Sequence, residues 1–438
     1  MADHSFIYTG PNYTVAATGV AETFGSFAQA VVANKEGAVV VGALPFHAHD
    51  NPRFFRPDDF RCCESIDEVV LAVARTPVPQ VINCEALPSR AEHCLKVAQM
   101  IALINASDLD KIVLSRAERF RLAAPVKPER ILAGFLSAAA KDTVAEKWAE
   151  AEAHKNAHVD SALADAAADE QSQVVPQGFG YVLQLESEPC GEVGEKEAFF
   201  VGPSPEVLIE KRGRVIRSFP LAGTTRRSTD PEVDQQRAQQ LQHSVKNLHE
   251  HKFVTDGIQK VLSPLCSELH VPEQPELMHT SHTWHLGTPI AGVLREDVDI
   301  SVLELAQLLH PTAAVNGFPD RLAAEILAEI EPERGFYAGA VGFSDENGDG
   351  EFRVAIRSAY VCGSTVIARA GGGLVHNSRP SEELAETDTK LGPIRSVLGL
   401  GRNDFHDDFD PLTFDSTAVD VFIPACMKDA VVGAERKC

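Results

Sequence analysis

The chain of 438 residues has no apolar run that approaches the roughly 20 residues of a membrane-spanning helix. Residues 1–10 contain neither the basic region nor the hydrophobic stretch of a secretion signal. Basic residues are also scarce, with 40 Lys and Arg against 63 Asp and Glu, for a net charge of −23. Such a chain would repel nucleic acid and anionic membranes. We therefore expect a cytoplasmic protein that binds neither, and any anionic substrate would need a local basic lining.

The sequence also lacks regularly spaced pairs of cysteines. The nine cysteines form no CxxC pair, and their number is odd. Disulfide frameworks and structural zinc sites both depend on regularly spaced cysteines. The spacing therefore predicts reduced thiols and no structural zinc.

The 44% of hydrophobic residues suffices for a sizeable core. Residues 138–177 are alanine-rich and charged, with almost no large apolar residue beyond Trp148, which predicts an inserted solvated helix or a disordered loop. Residues 401–438 begin with an acidic stretch and are expected to form a C-terminal extension. The remainder of residues 1–400 is expected to be one domain.

Hydrophobic periodicity alternates between strand and helix along that domain. Strands are predicted at 38–46, 111–116, 178–185, 198–201, 207–210, 215–219, 282–288, 338–343, 352–361 and 365–370. Helices are predicted at 67–74, 91–106, 231–265, 302–309, 320–330 and 381–397. The acidic run at 345–350 lacks the spacing and terminal glutamate of a calcium-binding EF-hand loop, so a hairpin turn is expected there. Strands dominate the second half, which favours an α+β fold.

A glycine run followed by carboxylates is the most informative stretch. The sequence Ala370-Gly-Gly-Gly-Leu-Val375 precedes Glu383, Glu386 and Lys390. Small residues allow a ligand to approach the backbone closely, and residues three or four apart share one face of a helix. Two carboxylates beside a lysine suit a hard cation together with an anionic substrate. A second group of this kind surrounds Glu250, so two segments are expected to build one charged pocket.

Several other blocks combine rarer residues. Taken singly, most have an ordinary explanation: Glu206 as a surface carboxylate, His285 as a core histidine, and Lys111 as a solvated strand end. His249 and His251 are two apart on a predicted helix and so face different ways, which argues against a zinc pair. Arg357 is harder to explain, because a guanidinium buried within a strand needs an anionic partner.

Taken together and in order, the blocks of residues 110–395 resemble the chorismate-utilising enzymes. They are KIVLSR from Lys111, GPSPE ending at Glu206, PLAGT ending at Thr224, HEH around Glu250, WHLGTP around His285, HPTAAVNGFP around Val315, FYAG around Tyr337, IRSA around Arg357, and the glycine run. This family includes isochorismate, salicylate, anthranilate and aminodeoxychorismate synthases. The resemblance implies the family's α+β fold, in which large sheets stack face to face with helices packed outside.

The resemblance also implies a reaction. Chorismate would be isomerised to isochorismate by addition of water at C2 and loss of the C4 hydroxyl. Lys111 matches the family's base and Glu206 its acid. A lysine base needs a depressed pKa, and a carboxylic acid needs a raised one.

Magnesium is the cofactor that the resemblance implies. Glu250 and Glu386 match its ligands, with Glu383 as a near or water-mediated ligand. Many relatives have an acidic residue three positions before the HEH glutamate, where this chain has Asn247. The substrate-binding positions carried over from the family are Gly223, Thr224, His285, Val315, Tyr337, Arg357, Gly372, Gly373 and Lys390.

Val315 bears on the branch of the family. Salicylate synthases, which go on to eliminate pyruvate, tend to have alanine there, so Val315 favours a monofunctional isochorismate synthase. The alternatives are a salicylate synthase with isochorismate-pyruvate lyase activity and a non-catalytic paralogue. The product would pass to isochorismate-using enzymes of siderophore or menaquinone biosynthesis, with the siderophore pathway preferred, and a monomer is the family's commoner state.

Overall fold

The computed structural model describes residues 4–10, 13–63, 70, 76–139, 179–186, 197–280, 282–401, 404–405, 409–414, 422 and 424–427. The described helices are α1 Phe27–Lys35, α2 Arg90–Ala106, α3 Pro128–Ala139, α4 Pro231–Gln242, α5 Val245–Leu262, α6 Val302–Leu309, α7 Asp320–Ile330 and α8 Pro380–Val397. The predicted insert at 138–177 and extension at 401–438 lie largely outside the described residues, as does most of the predicted helix at 67–74.

Two large sheets organise the fold. The strands are β1 His4–Thr9, β2 Thr14–Thr18, β3 Glu22–Phe24, β4 Val40–Leu44, β5 Arg53–Arg56, β6 Asp59–Cys63, β7 Val81–Leu87, β8 Lys111–Leu122, β9 Gly180–Gln184, β10 Ala198–Gly202, β11 Val207–Arg212, β12 Val215–Phe219, β13 Leu221–Arg226, β14 Cys266–His270, β15 Glu276–His279, β16 Thr283–Gly287, β17 Ile290–Leu294, β18 Gly317–Phe318, β19 Ala340–Ser344, β20 Gly350–Val354, β21 Ala359–Cys362 and β22 Thr365–Leu374.

The ten-stranded sheet has the order β18-β8-β22-β21-β10-β9-β1-β2-β6, with β7 also paired to β8. The nine-stranded sheet has the order β14-β17-β12-β11-β20-β19-β4-β5-β3, and β13, β16 and β15 form a small third sheet. The long pairing of β8 with β22 is antiparallel and extends from Ile112–Leu374 to Arg121–Thr365.

Three apolar clusters hold these layers together. One lies between the large sheets and includes Tyr8, Val41 and Tyr181. A second packs α3 and α8 against the ten-stranded sheet, and the third packs helices against the nine-stranded sheet. Stacked sheets with helices outside confirm the fold class predicted from the sequence.

Two predicted elements are wrong, because each ends within a stretch whose hydrophobic periodicity continues. The single helix predicted at 231–265 is α4 followed by α5, since Ser244 caps α5 by accepting a hydrogen bond from the Asn247 amide. The single strand predicted at 352–361 is β20 in one large sheet and β21 in the other. Arg357 therefore lies in the crossing segment, at φ 57°, and not within a strand.

The hairpin turn predicted at 345–350 is confirmed, because it joins the paired strands β19 and β20.

The prediction of reduced cysteines is confirmed in part. Six described cysteines are free thiols, but Cys362 is disulfide-bonded. A disulfide requires only that two Cβ atoms come within about 4 Å, which sequence spacing does not report.

A buried ion network ties α8 to β8. Asp388 of α8 accepts two hydrogen bonds from Arg90 Nη1, both 3.0 Å, and a further one from Arg116 of β8. Glu118 joins Arg116 at 3.2 Å and Arg395 of α8 at 2.7 Å. Arg116 is wholly buried, so the network fixes the position of α8 in a low-dielectric environment.

Removal of the shared carboxylate tests this role. We expect Asp388→Ala to lower the free energy of unfolding by about 3–5 kcal/mol, because it leaves buried guanidinium charge uncompensated. Glu325→Ala is the matched control, since it removes an exposed α7 pair with Arg321 and should cost less than about 1 kcal/mol. Urea denaturation measures both, and equal effects of the two substitutions would contradict a structural role for the network.

Candidate active site

The glycines of β22 lie directly against charged side chains. A Cβ at Gly373 would be 2.9 Å from Lys111 Cε and 3.5 Å from a Glu250 carboxylate oxygen. A Cβ at Gly372 would be 3.1 Å from Glu383 Oε2 and 3.6 Å from Glu386 Oε1. The structure therefore brings the two predicted segments together, and the strand between them has no room for side chains.

Three carboxylates and a lysine meet at this strand. Glu250 of α5 and Glu383 of α8 are buried, and Lys246 Nζ lies 3.9 Å from one and 3.7 Å from the other. Burial raises the pKa of Glu250. Burial and repulsion from Glu386 raise the pKa of Glu383 to about 7. Glu386 forms a 2.7 Å ion pair with Lys390, whose Nζ also donates to the Gly371 carbonyl.

The donor chemistry of this group fits a hard divalent cation. Glu250 Oε1 and Glu383 Oε2 are buried, and no described residue hydrogen-bonds to either oxygen. A cation would satisfy both oxygens and relieve the repulsion between the carboxylates. Within the described ranges, no three His, Cys, Asp or Glu side chains already converge as metal ligands. Magnesium commonly takes only one or two carboxylates and completes its shell with water and substrate, so a preformed triad is not required.

Lys111 begins β8 and is 2% exposed. Burial lowers the pKa of its ammonium group, although the Glu250 carboxylate 3.8 Å away opposes that effect. A lysine in such a position can exist as a neutral amine near physiological pH and accept a proton.

Burial shifts the pKa of Glu206 upward, opposite to its effect on Lys111. Glu206 follows the turn after β10, and the Ser204 hydroxyl anchors that turn by donating to the Val354 carbonyl at 2.5 Å. Burial raises the pKa of Glu206 to about 8, against the lowering effects of the Leu221 amide and of Lys111. Glu206 is therefore a carboxylic acid at neutral pH and can donate a proton.

His285 is held as a neutral acceptor beside Arg357. Arg357 Nη2 lies 2.9 Å from His285 Nε2, and Thr224 Oγ1 lies 3.1 Å from Nδ1. Because a guanidinium can only donate, Nε2 must accept, which assigns the ring proton to Nδ1. Burial, followed by the charge of Arg357, lowers the pKa of His285 well below its usual value.

A cavity of about 70 Å³ is lined by Glu206, Thr224, His285, Val315, Tyr337, Arg357, Gly371 and Lys390 among others. Small-molecule sites usually span about 300 Å³ or more. This cavity is smaller than that range. Gly223 lies at the edge of this region, where its φ of 84° and a Cβ position 3.1 Å from Asn247 favour glycine.

Arg334 supports the cavity from behind and was not predicted from the sequence. It is wholly buried, donates to the Val315 carbonyl at 3.0 Å, and also donates to the Val113 carbonyl. Glu331 balances its charge at 2.7 Å and accepts from the backbone and hydroxyl of Ser115. This clamp fixes the Val315 loop against β8.

The histidines near Glu250 do not form a metal site. His251 is buried between the Ala222 carbonyl, 3.1 Å from Nδ1, and the Thr288 hydroxyl, 2.7 Å from Nε2. His249 instead stacks on Phe253. Their different directions follow from the two-residue spacing.

Two further basic residues at the site were missed. Lys246 could have been found from its four-residue spacing to Glu250 on a helix. Arg369, which also lines the cavity, immediately precedes the Ala370 glycine run in the sequence. Neither was predicted, because a single basic residue at a helix end or in a strand is usually solvated.

Comparison with known proteins places this geometry in context. A family model described as chorismate binding enzyme matches residues 191–399. A Mycobacterium tuberculosis protein named as a candidate isochorismate synthase MenF is 34% identical over 90% of this chain and 96% of its own length. Isochorismate synthase DhbC of Bacillus subtilis is 32% identical over 85% of this chain and 83% of its own length.

Among solved structures, the candidate 2,3-dihydroxybenzoate-specific isochorismate synthase DhbC from Bacillus anthracis superposes with a TM-score of 0.73 at 32% identity. The match covers 91% of this chain and 97% of that one.

No helix in the described part of the chain is long and apolar enough to cross a membrane.

The raised pKa of Glu206 predicts a pH-dependent stability. The unfolded carboxyl releases its proton near its ordinary pKa of about 4.5, whereas the folded one keeps it to about 8. The folded state therefore binds more protons in this window, and stability is lost as pH rises through it. Glu206→Gln, which cannot ionise, should gain melting temperature relative to wild type between about pH 5 and about pH 8. Thermal denaturation at both pH values measures this, and a constant difference would show that Glu206 titrates normally.

Proposed function

The chain belongs to the chorismate-binding enzymes, in the branch that contains the isochorismate synthases, and we propose that it is a Mg²⁺-dependent isochorismate synthase. The observation that carries this proposal is a buried lysine of lowered pKa that lies close enough to a buried glutamic acid of raised pKa for each group to affect the pKa of the other. Burial thus shifts the pKa of Lys111 in the direction that a base needs and the pKa of Glu206 in the direction that an acid needs.

The proposed reaction is a substitution with movement of the ring double bonds. Neutral Lys111 accepts a proton from water as the water oxygen bonds to C2. The double bonds shift, the C4–O bond breaks, and Glu206 protonates the departing hydroxyl. One water enters and one leaves, so the exchange is reversible, and proton return from Lys111 to Glu206 through solvent restores the enzyme.

The two substrate carboxylates have separate proposed partners. Arg357 and Tyr337 would bind the enolpyruvyl carboxylate, assisted by backbone amides near Gly372 and Gly373. Arg357 already donates to neutral His285, so its guanidinium is oriented before substrate arrives. The ring carboxylate would lie by the amides of Gly223 and Thr224, while Lys390 adds positive charge to the cavity.

Glu250 and Glu386 would hold Mg²⁺, with Glu383 close by or linked through water. When bound, the ion supplies positive charge for the ring carboxylate. Asn247 adds no charge to this set, and its Nδ2 group donates to the Ser244 hydroxyl at 2.8 Å at the start of α5.

Purified protein incubated with chorismate and Mg²⁺ tests the activity, with products separated by chromatography and pyruvate assayed in parallel. We expect isochorismate in equilibrium with chorismate and no pyruvate. Salicylate with equimolar pyruvate would instead identify the lyase-competent alternative. No turnover would favour the non-catalytic paralogue.

The carboxylate group predicts a metal dependence that can be measured without turnover. Mg²⁺ should raise the melting temperature of wild type, and EDTA should reverse the shift and abolish activity. Glu250→Gln and Glu386→Gln should lose most of the shift. Glu382→Gln is the control, since Glu382 lies on the same helix but is exposed and paired with Arg379. A full shift in both site variants would contradict the proposed ligands.

Val315 is expected to decide whether the enzyme also releases pyruvate. Its buried side chain lines the cavity, where it would keep isochorismate from the geometry for pyruvate loss. Val315→Ala should raise pyruvate release by about tenfold, the scale set by small apolar groups in a binding pocket. Val315→Ile should not raise it. Unchanged pyruvate output from the alanine variant in a lactate dehydrogenase assay would count against this role.

The proposed setting is cytoplasmic, with isochorismate passed to enzymes of siderophore biosynthesis or, less favoured, menaquinone biosynthesis. We propose a monomer. Size-exclusion chromatography with light scattering would distinguish a monomer from a dimer.

A further inference from the structure

A second and much wider cavity lies outside the catalytic groups. It is a cleft of about 1050 Å³ between the two large sheets. One wall is formed by Arg119 and Arg121 of β8 and by Thr365 and Ile367 of β22, and the facing wall includes Phe336. A space of this size admits a small organic molecule.

Arg369 belongs to both this cleft and the catalytic cavity. Side chains alternate along a strand, so Thr365, Ile367, Arg369, Gly371 and Gly373 all lie on one face of β22. At roughly 3.3 Å per residue, Arg369 lies about 13 Å along the strand from Gly373, where Lys111 is found. The cleft and the catalytic groups thus occupy two ends of one continuous strand face.

The charge of Arg369 has no partner among the described residues. It is half-buried, and the described residues provide no ion pair or hydrogen bond to its guanidinium. Other cleft arginines are paired: Arg119 with Glu85 at 3.0 Å and Arg53 with Glu186 at 3.4 Å. In a chain of net charge −23, a half-buried arginine with no partner among the residues that the structure describes marks a place where an external anion is favoured.

Arg369 also acts on the same group as Arg357. Burial raises the pKa of Tyr337 to about 12, and Arg334, Arg369 and Arg357 all oppose that rise. The Tyr337 hydroxyl lies 3.1 Å from the Cβ position of Gly371, the next residue after Arg369 on the same strand face. Arg357 and Arg369 therefore both lie near Tyr337.

We propose that the inter-sheet cleft is the entrance for the anionic substrate, and that Arg369 is a second guanidinium for the carboxylate bound by Arg357 and Tyr337. This inference rests on the proposed function, because it takes the ligand to be a dicarboxylate. Arg369 lines both the wide cleft and the narrow catalytic cavity, whereas Arg357 lines only the catalytic cavity, so a carboxylate entering from the cleft would meet Arg369 before Arg357.

Equilibrium binding tests the role of Arg369. Chorismate is titrated by calorimetry into Glu206→Gln, which lacks the acid and so holds substrate without turnover. Adding Arg369→Gln should raise the Kd about 10- to 100-fold, the range for a lost charged hydrogen bond. Arg369→Lys should recover part of the affinity. Arg321→Gln is the control, since Arg321 is 92% exposed on α7 and should leave the Kd unchanged.

The entrance is tested by narrowing the cleft with Thr365→Tyr in the same background. Thr365 lines the cleft but not the catalytic cavity. Stopped-flow measurement of Trp284 fluorescence, next to His285, should show chorismate association slowed about tenfold or more. The Kd should change less than the association rate.

The outcomes separate the two claims. Equal Kd values with and without Arg369→Gln would overturn the role of Arg369, and an unchanged association rate in Thr365→Tyr would overturn the entrance, while the proposed function stood. Absence of chorismate binding to Glu206→Gln itself would overturn the proposed function and this inference with it.

Discussion

The close approach of charged side chains to the glycine backbone of β22 is the constraint on which the site depends. At Gly372 and Gly373 a methyl group would already press against Glu383 or Lys111. The strand must therefore be bare there, and the groups around it must be fixed by other parts of the fold. The Asp388–Arg116 network fixes the position of α8, and the Arg334–Glu331 clamp fixes the position of the Val315 loop. Both networks are anchored on β8, the strand paired with β22.

Burial acts on this site in two directions at once. It disfavours charge, so it lowers the pKa of the Lys111 ammonium and raises that of the Glu206 carboxyl. A lysine and a glutamate on the surface would show neither shift. The same dry environment leaves Glu250 and Glu383 with unsatisfied oxygens, which a bound cation would stabilise. Proton transfer and cation binding thus have one physical origin in the packing of α5 and α8 against β22.

The sequence predicted the fold class and the helices α2, α6, α7 and α8 because their patterns are local and strong. It also predicted that the Glu250 and Glu383 segments would meet. It could not predict that the chain crosses between sheets at Arg357, since residues on both sides have strand-like composition. Nor could it single out Arg334, which contacts the carbonyls of Val315 and Val113, both far away in the sequence. It also could not single out Arg369, because the lack of a partner among the described residues is visible only in the structure. The site residues carried over from the family were brought together, but their roles stay predictions.

The pH dependence of kcat/KM for chorismate tests most directly the claim that one buried site holds Glu206 as an acid near Lys111 as a base. This ratio reports the ionisations of the free enzyme. The account predicts that kcat/KM falls above about pH 8, as Glu206 loses the proton it must donate, and that Glu206→Gln lacks both this limb and most of the activity. A ratio that stays level or rises well above pH 8 in the wild type would contradict the assignment of Glu206 as the proton donor.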